Sequence, residues 1–198
     1  MSWSRPETAD AALARLVAGN ERFVSGEARF PTVQKDVLAE LAKGQQPYAT
    51  VLGCSDSRVP PELLFDAGFG ELFVIRVAGN VVSAEILGTL QYAGLHLRTP
   101  LFVVLGHQGC GAVKAALGGD AHGARLATVL DAIRPGLRGM APHAAPEDRL
   151  QAAVEANVRW SMRQVLETAE GRARAAEGKM KLVGALYEIA SGRVRFLQ

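Results

Sequence analysis

The stretch Ala49-Thr50-Val51-Leu52-Gly53-Cys54-Ser55-Asp56-Ser57-Arg58-Val59-Pro60 decides how the rest of the chain is interpreted. Its mainly apolar beginning predicts a buried strand that delivers Cys54 into a polar turn. A carboxylate, Asp56, and a guanidinium, Arg58, follow the thiol within that turn. Open α/β folds bind their ligands at the carboxyl ends of their strands. The stretch therefore predicts a site at one edge of a sheet, with Cys54 as a metal ligand and Asp56 and Arg58 controlling its water.

The rest of the chain alternates between strand-like and helix-like segments. Continuous apolar runs predict buried strands at residues 49–53, 72–77, 101–105 and 182–187. Residues 194–197 follow the turn Ser191-Gly192 and predict an antiparallel edge strand. Helices are expected at residues 8–25, 33–43, 61–65, 84–97, from 112 onwards, 125–133 and 147–170. Pro135 is expected in a loop, and residues 172–181 in a solvated surface loop.

This alternation predicts an α/β fold: a mainly parallel central sheet of about four strands, an antiparallel C-terminal edge strand and helices on both faces. We expect a single domain over residues 1–198, with an N-terminal helical arm at 1–44 and an α/β core at 45–198. Thr8 is placed to cap the first helix. The apolar face of that helix must cover either the core or a partner subunit.

The composition excludes several classes of protein. The chain has 198 residues, of which 48% are hydrophobic and 21% charged, as in one ordinary globular domain. A net charge of +2, with arginines spread along the chain, does not indicate nucleic-acid binding. No apolar run approaches the roughly 18–20 residues of a membrane span, and no secretory signal is recognised. We therefore expect a cytoplasmic protein without membrane insertion.

A second polar turn supplies further metal ligands. The third predicted strand runs into Gly106-His107-Gln108-Gly109-Cys110-Gly111. Its His-x-x-Cys spacing places His107 and Cys110 in one turn, and Cys54 follows a strand that can be adjacent in a parallel sheet. Together they form a Cys₂His set of the kind that Zn²⁺ accepts. No fourth cysteine or histidine lies in these turns, and an open fourth position is typical of catalytic zinc.

Other interpretations stay open at this point. Cys54 and Cys110 are the chain's two cysteines, so they are also candidates for a disulfide or a redox thiol pair, although a reducing compartment disfavours a structural disulfide. A Gly-rich turn before a helix is also typical of an anion- or nucleotide-binding loop. This turn lacks the spacing and the lysine of the known phosphate-binding motifs. Neither alternative gives Asp56, Arg58 and His107 a joint role.

Two motifs resemble the signature of the β-class carbonic anhydrases, Cys54-Ser55-Asp56-Ser57-Arg58-Val59 and Gly106-His107-x-x-Cys110-Gly111. The resemblance is firm over residues 45–117 and extends in outline over the rest of the chain. It implies that Cys54, His107 and Cys110 bind one zinc ion per chain. It also implies reversible hydration of carbon dioxide to bicarbonate and a proton, by attack of zinc-bound hydroxide.

The same resemblance implies roles for further residues. Asp56 would accept a hydrogen bond from the zinc-bound hydroxide, and Arg58 would hold Asp56 away from the metal. Gln45 matches a glutamine that, in plant-like members, donates to the substrate across a dimer interface. The remaining substrate-binding positions that the resemblance implies are Phe73, Ala78, Tyr92 and Gly111. A homodimer, or a dimer of dimers, is therefore expected.

Three positions bear on the type of enzyme. Some family members are inhibited by bicarbonate in a second pocket that includes a tryptophan three residues before the first zinc cysteine. Val51 stands at that position, which favours the plant-like, non-allosteric type. Many relatives have asparagine at the position of Val77 and a bulkier residue at that of Ala78. Because relatives with the same zinc ligands hydrolyse carbonyl sulfide or carbon disulfide, the ligands alone do not identify the substrate.

Overall fold

The computed structural model describes residues 8–29, 35–118, 123–140 and 145–197. Its strands are β1 (Ala49–Gly53), β2 (Leu72–Arg76), β3 (Leu101–His107), β4 (Lys181–Tyr187) and β5 (Val194–Phe196). Its helices are α1 (Ala9–Ser25), α2 (Lys35–Leu41), α3 (Pro61–Leu64), α4 (Ala84–Leu95), α5 (Gly111–Gly118), α6 (Ala124–Leu137), α7 (Pro146–Glu167) and α8 (Ala169–Ala176), with a 3₁₀ turn at Ala78–Asn80. No helix among these residues is long and apolar enough to cross a membrane.

The strands form one sheet in the order β2-β1-β3-β4-β5. β1 pairs in parallel with β2 and with β3, and β3 pairs in parallel with β4. β5 pairs antiparallel with β4. The predicted α/β fold, with four parallel strands and an antiparallel C-terminal edge strand, is confirmed. Because β1 and β3 are neighbours, the two polar turns that follow them meet at the same edge of the sheet.

Helices cover both faces of the sheet. Successive side chains of a strand point to opposite faces, and Val51 and Leu52 of β1 accordingly belong to two different clusters of buried side chains. The cluster around Val51 includes side chains of α1, α5, α6 and α7, and the cluster around Leu52 includes side chains of α4. Burial on both faces explains why β1 and β3 are apolar without alternation.

The N-terminal helix lies on the core of its own chain. Thr8 caps α1 by accepting a hydrogen bond from the Ala11 amide at 3.2 Å, as predicted. Leu16 is fully buried. Asn20 donates to the carbonyl oxygens of Leu64 and Gly192. The apolar face of α1 therefore covers this chain's core, which is one of the two alternatives that the sequence left open. Residues 1–7 and 30–34 of the expected arm lie outside the described residues.

Asp66 attaches the N-terminal segment to the loop after α3. Its buried carboxylate accepts hydrogen bonds from Arg22 and Arg29, with N···O distances of 2.6 and 2.8 Å. Burial alone would raise the pKa of Asp66, but these hydrogen bonds outweigh it and lower the pKa below its ordinary value. The carboxylate is buried but both guanidinium groups are partly exposed, so solvent screening makes each pair weaker than a fully buried ion pair. This cluster nevertheless stabilises the arm against the core.

The C-terminal half of the helical layer differs from the sequence prediction in two places. Residues 169–176, expected to belong partly to the long helix and partly to a surface loop, form α8. Thr168 is extended and its hydroxyl accepts from the Gly171 amide at 2.9 Å, so it ends α7 and caps α8. A Cβ at Gly171 would lie 2.2 Å from the Val165 carbonyl oxygen, so this corner requires glycine.

The second difference concerns α6, which was expected to end at Ile133. It continues through Pro135 to Leu137. Trp160 of α7 donates from Nε1 to the Ala132 carbonyl oxygen at 2.9 Å and packs against Gly136. Tertiary contact with α7 thus maintains the last turn despite the proline, which local sequence signals do not reveal.

Boundaries of other elements shift by one or two residues; β2 ends at Arg76 rather than at residue 77, and α4 ends at Leu95 rather than at residue 97. β3 extends to His107, two residues beyond its predicted end, because β4 continues to pair with it up to Tyr187. α2 ends at Leu41 rather than Lys43. Val33, the expected start of α2, lies outside the described residues. Ser83 caps α4 as predicted, with its hydroxyl 3.5 Å from the Ile86 amide.

Candidate metal centre

The structure brings Cys54, His107 and Cys110 together at the carboxyl edge of the sheet. Cys54 directly follows β1, His107 is the last residue of β3, and Cys110 directly precedes α5. All three are buried, and one possible ligand atom from each lies within 4.8 Å of the other two. Both thiols are free. The three side chains therefore form the Cys₂His set predicted from sequence, and no disulfide joins the cysteines.

The imidazole of His107 is oriented for a metal ion. Its Nδ1 lies 3.0 Å from the carbonyl oxygen of Gln108, an acceptor, so Nδ1 carries the ring proton and donates it. The lone pair of the neutral ring is then on Nε2. That atom is buried and has no hydrogen-bond partner among the described residues. A buried nitrogen acceptor left unpaired beside two thiols fits a metal ligand.

Backbone amides face the sulfur of Cys54. The Gly79 amide donates to Sγ at 3.3 Å, and the Asp56 amide faces the same sulfur. The hydrogen bond from the Cys110 thiol lowers the pKa of Cys54 most, with further contributions from His107 and these amides, although burial opposes the shift. The thiolate form of Cys54 is therefore favoured, and the thiolate is the form that binds metal.

Cys110 occupies the N-terminal end of α5. The amides of Ala112 and Val113, in the first turn of that helix, face its sulfur. The hydrogen bond with Cys54 and burial nevertheless raise the pKa of Cys110, because one proton is shared by the thiol pair. A metal ion would displace that proton. The amides of the helix terminus would then stabilise the second thiolate.

Asp56 lies beside the three candidate ligands and is held by Arg58. Arg58 donates from Nε to Oδ1 at 2.9 Å, from Nη2 to Oδ2 at 2.8 Å and from its backbone amide to Oδ1 at 3.0 Å. These hydrogen bonds keep the pKa of Asp56 well below its usual range. Oδ2 lies 3.9 Å from His107 Nε2. An ionised carboxylate thus stands within reach of the site, with both oxygens engaged by a guanidinium.

Arg76 supports the same turn from the neighbouring strand. It donates from Nε to the Cys54 carbonyl oxygen at 2.9 Å and from Nη2 to the Asp56 carbonyl oxygen at 2.5 Å. The sequence places Arg76 at the end of β2. It does not show that the Arg76 guanidinium donates to backbone carbonyls in the turn that follows the neighbouring strand, β1. The guanidinium therefore fixes the backbone on which Cys54 and Asp56 stand.

Two buried polar residues of α7 complete the support of the site. Asn157 donates from Nδ2 to the Gly79 carbonyl oxygen at 2.8 Å, and Ser161 donates to the Asn80 carbonyl oxygen at 3.0 Å. Both side chains are almost inaccessible to solvent. Neither residue was predicted from the sequence. The signal was present, because a polar residue three positions after Val154 interrupts the otherwise apolar face of α7.

The sequence-predicted pocket residues fall into two groups. Ala78 begins the turn whose next residue contacts Cys54, and Gly111 directly follows Cys110, so both adjoin the metal centre. Phe73 instead stands beside Thr50 in the sheet register, four residues before Cys54. That separation is about 13 Å along a strand. The structure therefore does not bring Phe73 into contact with this chain's own metal centre.

Gln45, Phe73, Tyr92 and His96, here called the far-edge patch, lie towards the amino ends of the strands. The Phe73 and Tyr92 ring centroids are 6.0 Å apart, and the Tyr92 and His96 rings stack at 5.1 Å. Gln45 is exposed and lines a groove together with His96. Tyr92 is 45% exposed. An open aromatic surface of this kind is typical of an interaction site.

A second cavity is lined by none of these four residues. It has a volume of about 490 Å³ and is lined mainly by residues of α4, α7 and α8, among them Gln91 and Arg174, and by Phe102 of β3. Neither the three candidate ligands nor Asp56 and Arg58 line it. We assign it no part in the chemistry of the metal centre.

Comparison with known proteins supports the same interpretation. The profile of the carbonic anhydrase family matches residues 49–194. Carbonic anhydrase 2 of Mycobacterium tuberculosis is 40% identical over 189 residues, covering 92% of this chain and 90% of that protein. The carbonic anhydrase of Mycolicibacterium smegmatis is 39% identical over 189 residues, covering 93% and 91%.

Solved structures agree with this assignment. The β-carbonic anhydrase CcaA superposes with a TM-score of 0.77 at 29% identity, over 94% of this chain and 95% of that chain. The Coccomyxa β-carbonic anhydrase, solved with acetazolamide, superposes with a TM-score of 0.74 at 29% identity, over 93% and 86%. The match extends over the β-sheet and both ligand-bearing turns, and the chain therefore belongs to the β-class of the carbonic anhydrase family.

Proposed function

We propose that this protein is a zinc enzyme that reversibly hydrates carbon dioxide to bicarbonate and a proton. The observation that carries the proposal is the convergence of Cys54, His107 and Cys110 within 4.8 Å, with the buried Nε2 of His107 left unpaired. Family membership supplies the reaction. Alternative roles as an anion-binding loop or a redox thiol pair give Asp56, Arg58 and His107 no joint role.

The donor set fits zinc, with one ion per chain. Two thiolates and an imidazole are ligands that Zn²⁺ takes, and three protein ligands leave a fourth position for water. When bound, the ion supplies Lewis-acid chemistry that makes this water acidic enough to serve as a nucleophile. The protein's contribution is to hold the two sulfurs and Nε2 of His107 in place, through the amides of Gly79, Asp56, Ala112 and Val113 and the carbonyl of Gln108.

Asp56 and Arg58 keep the fourth position free for the reaction. The Asp56 carboxylate is near enough to the ligands to compete for that position, since Oδ2 lies 3.9 Å from His107 Nε2. Arg58 engages both carboxylate oxygens and so restrains this movement. A carboxylate held in this way also accepts a hydrogen bond from a nucleophile and orients it. Asp56 is thus an acceptor and orienting group, and Arg58 is the group that restrains it.

A second copy of the chain is part of the proposal. Gln45, Phe73 and Tyr92 are the predicted substrate-binding residues that stand apart from this chain's metal centre. They are accounted for if the far-edge patch of one chain lines the pocket of another, next to Ala78 and Gly111. A homodimer is the smallest assembly that satisfies this arrangement, and a dimer of dimers satisfies it equally. Two reduced thiols as ligands also fit the cytoplasmic location expected from sequence.

The enzyme is proposed to be of the non-allosteric, plant-like type. Val51 is completely buried in the core cluster that also contains Leu16 and Val103. A valine there offers no ring nitrogen to an anion. We expect bicarbonate to inhibit carbon dioxide hydration only by competing at the metal centre. Non-competitive bicarbonate inhibition in stopped-flow kinetics would contradict this assignment.

One experiment tests the proposed reaction against its closest alternative. Purified protein is assayed by stopped flow for carbon dioxide hydration, and in parallel for hydrolysis of carbonyl sulfide and carbon disulfide, with zinc content measured on the same sample. We expect one zinc per chain and carbon dioxide as the fastest substrate. Faster turnover of either sulfur compound would identify the alternative hydrolase. Absence of zinc would favour the anion-binding or redox interpretation.

A further inference from the structure

Gly79 differs from the other amides that face the two sulfurs. Asp56, Ala112 and Val113 lie within three residues of the cysteine that each one serves, so their positions follow from the local turn. Gly79 is 25 residues from Cys54 and donates to its Sγ at 3.3 Å. The position of the Gly79 amide therefore depends on the contacts that hold the Ala78–Asn80 turn against β1.

The conformation of this turn is specific to glycine. Gly79 has a φ of +66°, a backbone conformation that residues other than glycine rarely adopt. A Cβ there would lie 2.7 Å from the Ile133 side chain and 3.1 Å from that of Ala112. Gly79 therefore packs closely against α5, α6 and Cys54. Glycine alone permits the close approach, but its flexible backbone needs an external contact to fix the direction of its N–H group.

Asn157 makes that contact. Its Nδ2 donates to the Gly79 carbonyl oxygen at 2.8 Å, and the residue is 1% exposed. No group among the described residues donates to its Oδ1. A buried amide oxygen without a partner disfavours asparagine at this position. Rotating the side-chain amide by 180° would place Oδ1 against the Gly79 carbonyl oxygen. The donor function of Nδ2 is therefore what this position uses.

We propose that Asn157 is a positioning residue of the metal centre. By holding the Gly79–Asn80 peptide, it directs the Gly79 N–H at Cys54 Sγ and so sets how strongly that thiolate donates electrons to the metal. This inference rests on the proposed function, because it requires a metal ion at the Cys₂His set. Ser161 holds the next carbonyl, that of Asn80, and lies one peptide further from the sulfur.

The test uses protein in which Co²⁺ replaces zinc and compares two variants of α7. Asn157→Leu removes the donor and keeps four side-chain heavy atoms branched at Cγ. Ser161→Ala is the matched control, since it removes a buried hydrogen bond to the adjacent peptide of the same turn. We expect the thiolate-to-cobalt charge-transfer band to move to lower energy in Asn157→Leu and to stay in place in Ser161→Ala. Chelator competition should show about tenfold weaker zinc binding in Asn157→Leu.

The outcomes separate this inference from the proposed function. A wild-type protein without any thiolate-to-cobalt band would overturn the metal centre itself. A wild-type band that Asn157→Leu leaves unchanged, or that both variants shift equally, would overturn the role of Asn157. If Asn157→Leu does not fold, wild-type protein loaded with ¹¹³Cd provides the test. Scalar coupling between the metal and the Gly79 amide proton is expected, and its absence contradicts the inference.

Discussion

The carboxyl edge of the sheet and the far-edge patch are built in opposite ways. At the carboxyl edge, Cys54, His107 and Cys110 are buried, and backbone groups hold each of them. In the far-edge patch, Gln45, Tyr92 and His96 are exposed, and the half-buried Phe73 connects their ring contacts to the core. One chain thus supplies all three candidate metal ligands, whereas the aromatic surface of the far-edge patch is exposed.

On the proposed function, the two regions have different roles: the carboxyl edge holds the metal ion, and the far-edge patch lines the pocket of another chain. Groups that must hold a metal within a few tenths of an ångström need a rigid frame, and β1, β3 and α5 supply it. Groups that only shape a pocket can come from a second chain, because association brings them into place. Substitutions at the carboxyl edge should therefore abolish the chemistry, and substitutions in the far-edge patch should reduce it.

The largest effect is expected from loss of a sulfur ligand. Cys54→Ser should leave less than one zinc per chain and reduce carbon dioxide hydration at least about 10³-fold, because the remaining ligands cannot hold the ion or make its water acidic. Metal analysis and stopped-flow assay check both values on one sample. The fold should be retained, since the hydroxyl is smaller than the thiol, and circular dichroism provides that control. Full activity in this variant would place the reaction elsewhere in the chain.

Arg58→Ala tests the restraint on Asp56. Turnover should fall by about 10- to 100-fold while one zinc per chain is retained, because the released carboxylate can take the fourth position. The double variant Arg58→Ala/Asp56→Ala is the informative control, since it removes the competing carboxylate and should regain part of the lost rate. An Arg58→Ala enzyme as active as the wild type would show that Arg58 does not restrain Asp56.

The pH dependence of the wild-type rate is the next largest effect. Two thiolates cancel the charge of the zinc ion, so its water should be less acidic than the pKa of about 7 found with three neutral histidines. The nucleophile is the deprotonated form, and its fraction falls about tenfold for each pH unit below the pKa. We therefore expect kcat/KM to rise above neutral pH. A flat profile from about pH 6 to 9 would contradict this expectation.

The smallest effect should come from the far-edge patch. Gln45→Ala is expected to reduce kcat/KM by about three- to tenfold, the usual size for one lost hydrogen bond to a substrate, without loss of zinc. Gln46→Ala is a matched control, because Gln46 is also exposed and lines the same groove. Equal effects of the two substitutions, or no effect of either, would remove Gln45 from the site.

Much of the carboxyl edge could be predicted from the sequence because its signals are local. Cys54 follows an apolar strand, and His107 and Cys110 share one turn, so the sheet topology alone brings them together. The caps at Thr8 and Ser83 follow from the same kind of short-range pattern. Hydrophobic runs likewise identified β1 to β4, and the turn Ser191-Gly192 identified β5.

The remaining features depend on contacts between distant segments. The support that Asn157 gives to Gly79 spans 78 residues, and no local pattern specifies such a partner. The continuation of α6 through Pro135 needs Trp160, and α8 begins at Thr168 because α7 turns a corner there. The placement of Phe73 beside Thr50, away from Cys54, follows from the strand register, which the sequence did not define. In each case the tertiary structure decided between locally acceptable alternatives.

Zinc K-edge X-ray absorption of the purified wild-type protein tests the central claim most directly, because it reports the atoms bound to the metal. We predict one zinc per chain with two sulfur neighbours at about 2.3 Å and two nitrogen or oxygen neighbours at about 2.0–2.1 Å. A first shell without sulfur, or with only nitrogen and oxygen ligands, would contradict a centre formed by Cys54, His107 and Cys110.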